Sequence, residues 1–146
     1  MKTINLVLLC LAMLVSTVLT AQKSVVPDQR LKQIYSDEEL ARMNANSNTT
    51  IEYLNFCLQR SWFLADESVM EKVQNSPYLY YVDQETGLKS DIMVTSVNFE
   101  NFNVLLYYSE PAYDKRVFYR IGDTGYVIGF YSVKELAEMY NNEKNQ

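Results

Sequence analysis

The sequence contains no histidine. Ser-His-Asp and Cys-His catalysis, histidine-ligated zinc and the usual general base near neutral pH all require an imidazole, so this chain can form none of them. A tetrahedral zinc site would have to combine carboxylates with a single thiolate, which is a poor ligand set for that metal. The sequence therefore predicts no metal site and no cofactor, and it indicates no catalytic residue.

Cysteine is almost absent as well, since the chain has only Cys10 and Cys57. Cys10 lies in the apolar N-terminal segment, so Cys57 is alone if that segment is removed, and no internal disulfide can form. A helical pattern places Cys57 between Phe56 and Leu58, where a buried cysteine acts as a small hydrophobic residue. A reactive thiol or a disulfide between chains is the alternative.

Basic charge is scarce. The chain has 13 Lys and Arg against 18 Asp and Glu, which gives a net charge of -5. Loss of residues 1–21 removes Lys2 and no acid, so the remainder carries a net charge of about -6. No basic stripe is present to neutralise phosphates, so nucleic acid is not an expected partner.

The N-terminal segment has the pattern of a secretory signal peptide. Lys2 is followed by an uncharged, Leu- and Val-rich block from Leu6 to Leu19 and then by small residues, which predicts cleavage near Ala21. An uncleaved membrane anchor is the alternative, since about 18 apolar residues nearly span a bilayer. Ser and Thr dilute the second half and favour cleavage. We expect a secreted or periplasmic protein of a bacterial cell envelope, which contacts the membrane only if this segment is retained.

The remaining chain divides into a leader and one domain. Residues 22–35 are polar, contain Pro27 and predict a flexible leader. Residues 36–143 predict a single α+β domain. A mature chain of about 125 residues is long enough to bury most of its apolar surface without disulfides or metals.

Three capping-box patterns predict three helices. They begin at Ser36, at Thr49 and at Ser132, and the helices are expected to end near Met43, Arg60 and Asn141. The expected inner positions are Ile51, Leu54, Cys57 and Leu58 in the second helix, and Val133, Leu136, Ala137 and Tyr140 in the third.

Aromatic and β-branched runs separated by turn residues predict strands. We expect a short strand within 61–65, followed by strands at 78–82, 92–97, 103–108, 116–121 and 126–131. The short connections require antiparallel neighbours. The predicted fold class is α+β, with an antiparallel four- to five-stranded sheet covered on one face by the N-terminal and C-terminal helices.

Asp123-Thr124-Gly125 is the tripeptide that carries the catalytic carboxylate in aspartic proteases. Such an enzyme needs two carboxylates that share a proton, and the sequence has no second copy, so only a homodimer could work. A tight hairpin turn is the favoured interpretation. The predicted register pairs Ile121 with Tyr126, Tyr119 with Ile128, and Val117 with Phe130 on a buried face. The residues expected on the solvent face are Arg116, Phe118, Arg120, Val127, Gly129 and Tyr131.

Two further acidic sets have chemical interpretations. Asp83, Glu85 and Asp91 alternate with other residues as in a calcium loop, but Leu88 stands where an EF-hand needs glycine, so a solvated hairpin loop is favoured. Carboxylates for glycoside cleavage are available at Glu100, Glu110, Asp114 and Asp123, and sequence alone does not give their separation.

Aromatic residues are abundant: 12 Tyr, 6 Phe and 1 Trp. The runs Tyr78-Leu79-Tyr80-Tyr81 and Tyr107-Tyr108 place rings on both faces of a strand, so some rings should be partly exposed. Exposed tyrosines suit the recognition of proteins and glycans, although tyrosine also favours strands for packing reasons alone.

Three functions remain open from the sequence. The first is a small exported, non-catalytic binding module for an unknown protein or glycan, which uses an aromatic sheet face or the loop at Pro111. The second is a small hydrolase that acts on glycans through two carboxylates. The third is an envelope assembly component anchored in the membrane by the first segment.

Overall fold

The fold is α+β, and a computed structural model describes it for residues 24–145. The predicted signal peptide, residues 1–21, lies outside the described residues. Within residues 24–145 the strands form two three-stranded antiparallel sheets. The α+β class and the antiparallel pairing are therefore confirmed. The expected single sheet of four or five strands is wrong, because the strands are divided between two sheets.

The helices alternate with short strands along the chain. The α-helices are α1 Asp37–Asn46, α2 Asn48–Arg60, α3 Glu67–Val73 and α4 Val133–Lys144. The strands are β1 Trp62–Leu64, β2 Tyr80–Val82, β3 Lys89–Met93, β4 Tyr107–Tyr108, β5 Val117–Arg120 and β6 Val127–Phe130. Single 3-10 turns cover Gln29–Gln33, Phe99–Asn101 and Val104–Leu106.

Each sheet combines strands that are distant in sequence. The first sheet has the order β1-β6-β5, and the second has the order β3-β2-β4. An isolated parallel bridge between Tyr78 and Arg120 connects them. At this bridge the Arg120 amide donates to the Pro77 carbonyl and the Leu79 amide donates to the Arg120 carbonyl, each at 2.8 Å.

Two predicted strands differ from the observed ones. The strand expected at 92–97 lies earlier, at Lys89–Met93. Within 103–108 only Tyr107–Tyr108 is a strand, and Val104–Leu106 is a 3-10 turn. The Asn103 side chain accepts a hydrogen bond from the Leu105 amide and so competes with strand pairing. Helix α3 has no counterpart among the predicted elements.

The core lies between α1, α2 and the inner faces of the sheets. Its fully buried apolar residues include Leu31, Leu40, Ile51, Leu58, Leu79, Val94, Phe102, Ile121 and Ile128. Leu31 belongs to the segment predicted as a flexible leader, and Arg30 beside it donates to the carbonyls of Leu58 and Phe102. The described part of that segment, 24–35, is therefore packed into the domain.

The helix ends follow the capping pattern in two cases of three. Both hydrogen bonds of the capping box are present at Ser36 with Glu39 and at Ser132 with Glu135. The box predicted at Thr49 is absent, because α2 begins two residues earlier than predicted and its N-cap, Ser47, makes no side-chain hydrogen bond.

The side chains on the inner faces of α2 and α4 differ in how deeply they are buried. Helix α2 buries Ile51 and Leu58 as expected, together with Phe56. No residue of α4 is fully buried, and Val133 and Ala137, which were expected on its inner side, are exposed. None of the helices within residues 24–145 has the length and apolarity needed to cross a membrane.

Candidate functional site

The Asp-Thr-Gly segment forms the β5–β6 turn. Gly122 and Gly125 have positive φ angles of 46° and 80°, and the Ile121 amide donates to the Tyr126 carbonyl at 3.0 Å. Exposed Asp123 accepts a hydrogen bond from the Tyr78 hydroxyl at 3.2 Å. The favoured interpretation of this motif as a tight hairpin turn is thus confirmed.

The register of this hairpin is the predicted one, but the burial of its faces is not. Tyr119 pairs with Ile128 and Val117 pairs with Phe130. Tyr126, which was expected in the core, is 55% exposed. Val127 and Gly129, which were expected to face solvent, are buried. Strand β1 adds to the other edge of β6 and brings the ring of Phe63 over Gly129, so the second face is covered as well.

The remaining acidic candidates lie apart. Asp83 accepts hydrogen bonds from the amides of Glu85 and Thr86, each at 3.0 Å, as expected of a solvated hairpin loop. These bonds to the Thr86 and Glu85 amides hold the pKa of Asp83 below its usual value. Among the side chains that the structure describes, no cluster of acids or cysteine is suited to a metal ion. Glu110 and Asp123 line two different cavities.

Cys57 is half-buried on α2 and forms no disulfide. Burial raises the pKa of its thiol, and a hydrogen bond to Tyr53 partly opposes that rise. A thiol with a raised pKa carries little thiolate near neutral pH, which is the nucleophilic form. Cys57 is thus only partly buried, less than the helical pattern predicts.

Four tyrosines converge where the two sheets meet. They surround a pocket of about 170 Å³, here named the tyrosine pocket, whose lining is Pro77, Tyr78, Tyr80, Lys89, Tyr108, Glu110 and Tyr119. Tyr80, Lys89 and Tyr108 come from the second sheet, and Tyr119 comes from the first. The parallel bridge at Tyr78 holds the two halves of the pocket together.

Strand alternation explains which rings reach the pocket. Tyr80 lies directly opposite Tyr108, and their neighbours Tyr81 and Tyr107 point to the other face. There the Tyr107 ring stacks on Phe102 with centroids 4.8 Å apart, and burial raises the pKa of Tyr107 to about 12. Rings therefore occupy both faces of the strands, as the sequence predicts, and one set supplies the core while the other lines the pocket.

The pocket offers one cation and one carboxylate beside its rings. The Lys89 ammonium lies 3.8 Å from the centroid of the Tyr80 ring. Glu110 accepts a hydrogen bond from the Tyr108 hydroxyl at 3.0 Å, and this bond holds the pKa of Tyr108 above its usual value. The Glu110 amide donates to the Tyr119 hydroxyl at 2.9 Å. Such a pocket can hold a ligand by contact with the rings and by hydrogen bonds to the Lys89 ammonium and the Glu110 carboxylate.

A wider groove extends from the tyrosine pocket. It has a volume of about 580 Å³ and is here named the β5 groove. Pro77, Glu110 and Tyr119 line both spaces, so the two are continuous. The other walls of the β5 groove are Ser76, Pro111, Ala112, Lys115, Arg116, Val117 and Phe118. The loop at Pro111, one of the binding surfaces expected from the sequence, thus adjoins the aromatic surface.

A separate cavity of about 620 Å³ lies between α2 and α4. Glu52 and Glu143 both line it, beside the rings of Phe56 and Tyr140. The Lys144 ammonium contacts the Glu52 carboxylate at 3.3 Å. This cavity brings two carboxylates to one space, although neither belongs to the acids proposed from the sequence.

No protein-family model matches the chain, and no curated protein or solved structure matches it either.

The sequence did not point to three residues of the tyrosine pocket, namely Pro77, Lys89 and Tyr119. Tyr78, Tyr80 and Tyr108 belong to runs that were expected to expose rings, and Glu110 was a candidate acid. The alternation Tyr78-Leu79-Tyr80 was a usable signal, since Leu79 is fully buried and its two neighbours must share the opposite face.

Proposed function

We propose that the chain is a small exported, non-catalytic binding module whose ligand, a protein or a glycan, occupies the tyrosine pocket and the β5 groove. The observation that carries this proposal is the convergence of four tyrosines from both sheets on one pocket. Tyrosine rings supply a large contact area with little loss of side-chain entropy, and their hydroxyls hydrogen-bond to polar ligands.

Fold stability does not fully account for three of these four rings. Tyr119 belongs to the buried core, whereas Tyr78, Tyr80 and Tyr108 remain half-buried. Their ring surfaces stay partly in contact with water, so they gain less from burial than the core rings do. A ligand in the pocket would remove that surface from water.

The test is an unbiased binding assay with residues 22–146 against envelope proteins and polysaccharides. Tyr80→Ala and Tyr108→Ala are expected to weaken binding of any captured ligand by about tenfold or more, because buried tyrosines at an interface contribute 1–2 kcal/mol or more. Tyr126→Ala is the matched control, since Tyr126 is exposed at the far end of β5 and β6. Thermal melts would confirm that all three variants fold.

Two outcomes would overturn this assignment. One is the absence of any ligand that binds residues 22–146. The other is a ligand that binds both pocket variants as tightly as it binds the Tyr126→Ala protein.

A glycan hydrolase is the second candidate, and the cavity between α2 and α4 favours it because that cavity holds Glu52 and Glu143. Glycoside cleavage uses two carboxylates, one as acid and one as base or nucleophile. Release of new reducing ends from a polysaccharide, lost in both Glu52→Gln and Glu143→Gln, would establish this activity. Absence of release from a broad polysaccharide panel would remove it.

Export and the alternative of an anchored envelope component depend on the N-terminal segment. Mass spectrometry of the protein recovered from cells distinguishes them. A mature N-terminus near Gln22 would agree with export and cleavage. Retention of residues 1–21 would favour an assembly component held at the membrane.

A further inference from the structure

Strand β5 has one edge paired with β6 and one edge facing the β5 groove. In an antiparallel ladder, consecutive residues direct their amide and carbonyl alternately to the two edges. The Ile121 amide donates to the carbonyl of Tyr126, the residue just before β6. The backbone amides and carbonyls of Tyr119 and Val117 therefore also point to β6. The backbone groups of Arg120 and Phe118 must therefore point to the other edge.

Pro77 limits the pairing on that second edge. The Arg120 amide and carbonyl are satisfied by Pro77 and Leu79. The next residue of β5 on this edge is Phe118. If the parallel ladder continued, the amide hydrogen of residue 77 would have to reach the Phe118 carbonyl. Proline has no amide hydrogen. Ser76 turns away instead, and its amide bonds to the Val73 carbonyl at 2.9 Å.

The amide and carbonyl of Phe118 consequently have no partner within residues 24–145. They lie where Phe118 lines the β5 groove. A donor and an acceptor on one edge residue of a strand are satisfied together by the backbone of an extended peptide, which adds a strand to the sheet. The continuity of the β5 groove with the tyrosine pocket would place a side chain of that peptide against the rings.

The charge around the two spaces selects among peptides. Lys115 lines the β5 groove and Lys89 lines the tyrosine pocket, and neither forms an ion pair with a described residue. Arg116 is neutralised by Glu135 at 2.7 Å. Glu110 is the acid among the lining residues of both spaces. Two ammonium groups without an ion-pair partner, against one carboxylate, make the two spaces locally positive and favour an acidic ligand.

We propose that the β5 groove binds an extended acidic peptide segment of a partner protein, which pairs with Phe118 as a short added strand and places one side chain in the tyrosine pocket. This inference rests on the proposed binding function and narrows its ligand to a polypeptide.

The experiment is selection of short linear peptides from a random library on residues 22–146, followed by affinity measurements with two variants of one position. Phe118→Pro and Phe118→Ala both remove the ring that contacts Phe63, but only proline removes the amide hydrogen. Because that hydrogen points away from β6, its loss breaks no bond of the sheet. The selected peptides are expected to be rich in Asp and Glu, and the proline variant should bind them about tenfold more weakly than the alanine variant, the equivalent of one interface hydrogen bond.

A second readout uses the unmodified protein. Addition of a selected peptide should slow hydrogen exchange of the Phe118 amide, and this result is independent of how well the proline variant folds. Lys115→Ala should weaken binding and reduce its dependence on salt.

The outcomes separate this inference from the function on which it rests. Equal affinity of the two Phe118 variants, an unprotected Phe118 amide, or selected peptides without acidic residues would overturn the added strand. Capture of polysaccharides alone, with loss in Tyr80→Ala, would overturn the peptide and leave the binding module standing. Absence of any ligand of either class would overturn both.

Discussion

The ring of Phe63 occupies the space that a side chain at position 129 would need. A Cβ on Gly129 would overlap the outer carbons of that ring. The ring is held in place by Phe118, with centroids 5.9 Å apart, and by Tyr131 at 4.9 Å. We expect Gly129→Ala to lower the free energy of unfolding by about 1–3 kcal/mol, as overpacking does in other cores. Urea denaturation measures this change.

The control for that prediction is a smaller residue at position 63. Phe63→Leu should remove the overlap, so Gly129→Ala should be nearly neutral in the Phe63→Leu background. Strictly additive effects of the two substitutions would show that the ring is not the cause.

The second prediction concerns the Glu135 carboxylate. The hydrogen bond from Arg116, supported by the Ser132 cap, lowers the pKa of Glu135 from 4.5 to about 2. Because the folded value lies below the unfolded one, the stabilisation is present above about pH 4.5 and is lost as the pH falls toward 2. The side chains of Arg116 and Glu135 are 47% and 34% exposed. Glu135→Gln should therefore lower the free energy of unfolding by only about 0.5–1.5 kcal/mol at pH 7.

Denaturation of the Glu135→Gln protein across pH tests this carboxylate. The difference from the original protein should shrink as the pH falls from 5 toward 2. Glu138→Gln on the same helix is the matched control, since Glu138 is exposed and forms no ion pair with a described residue. A pH-independent difference at position 135 would contradict the assigned role.

The third prediction concerns Arg30, which ties the N-terminal segment to the core. Its guanidinium donates to the carbonyls of Leu58 at 3.0 Å and Phe102 at 2.8 Å, and pairs with Asp28 at 2.7 Å. Arg30→Met should destabilise the fold by about 1–3 kcal/mol, because the Phe102 carbonyl loses its guanidinium donor and the Asp28 carboxylate loses its counter-ion. Lys32→Met is the control and should change stability by less than about 0.5 kcal/mol, since its pair with Asp37 is exposed.

Calorimetry of the two variants checks this difference. Similar melting temperatures for Arg30→Met and Lys32→Met would be incompatible with a structural role for the guanidinium. The Arg30 hydrogen bond also lowers the pKa of Asp28. Its stabilising effect should therefore weaken in acid, as the carboxylate takes up a proton.

The fourth prediction separates a turn from a catalyst at Asp-Thr-Gly. Gly125 has a φ of 80° with open space around it, so Gly125→Ala introduces backbone strain without a clash and should cost about 1–2 kcal/mol. Asp123→Asn should change stability by less than about 0.5 kcal/mol, since it alters one exposed hydrogen bond. Thermal melts measure both. Loss of a catalytic turnover in Asp123→Asn alone would refute the turn interpretation.

Local patterns predicted the features that depend on neighbouring residues. The capping boxes at Ser36 and Ser132 and the register of the hairpin around Asp123 are confirmed. Each depends on backbone and side-chain groups within one continuous short segment, where spacing alone limits the alternatives.

Long-range pairing accounts for the features that sequence analysis missed. Val127 and Gly129 are buried because β1, more than 60 residues earlier in the chain, pairs with β6. The tyrosine pocket brings Lys89 and Tyr119 together only because the bridge at Tyr78 joins two sheets. No local sequence pattern predicts either of these long-range contacts. The exposed rings could therefore be predicted from the sequence, but the pocket that they form could not.

The limited burial of the α4 side chains affects how this helix unfolds locally. Because none of its side chains is fully buried, detachment of this helix would expose little apolar surface and would require less free energy than global unfolding. Its amide hydrogens should exchange with solvent well before those of β6, where every residue is buried. The C-terminal helix is thus expected to unfold locally before β6 does.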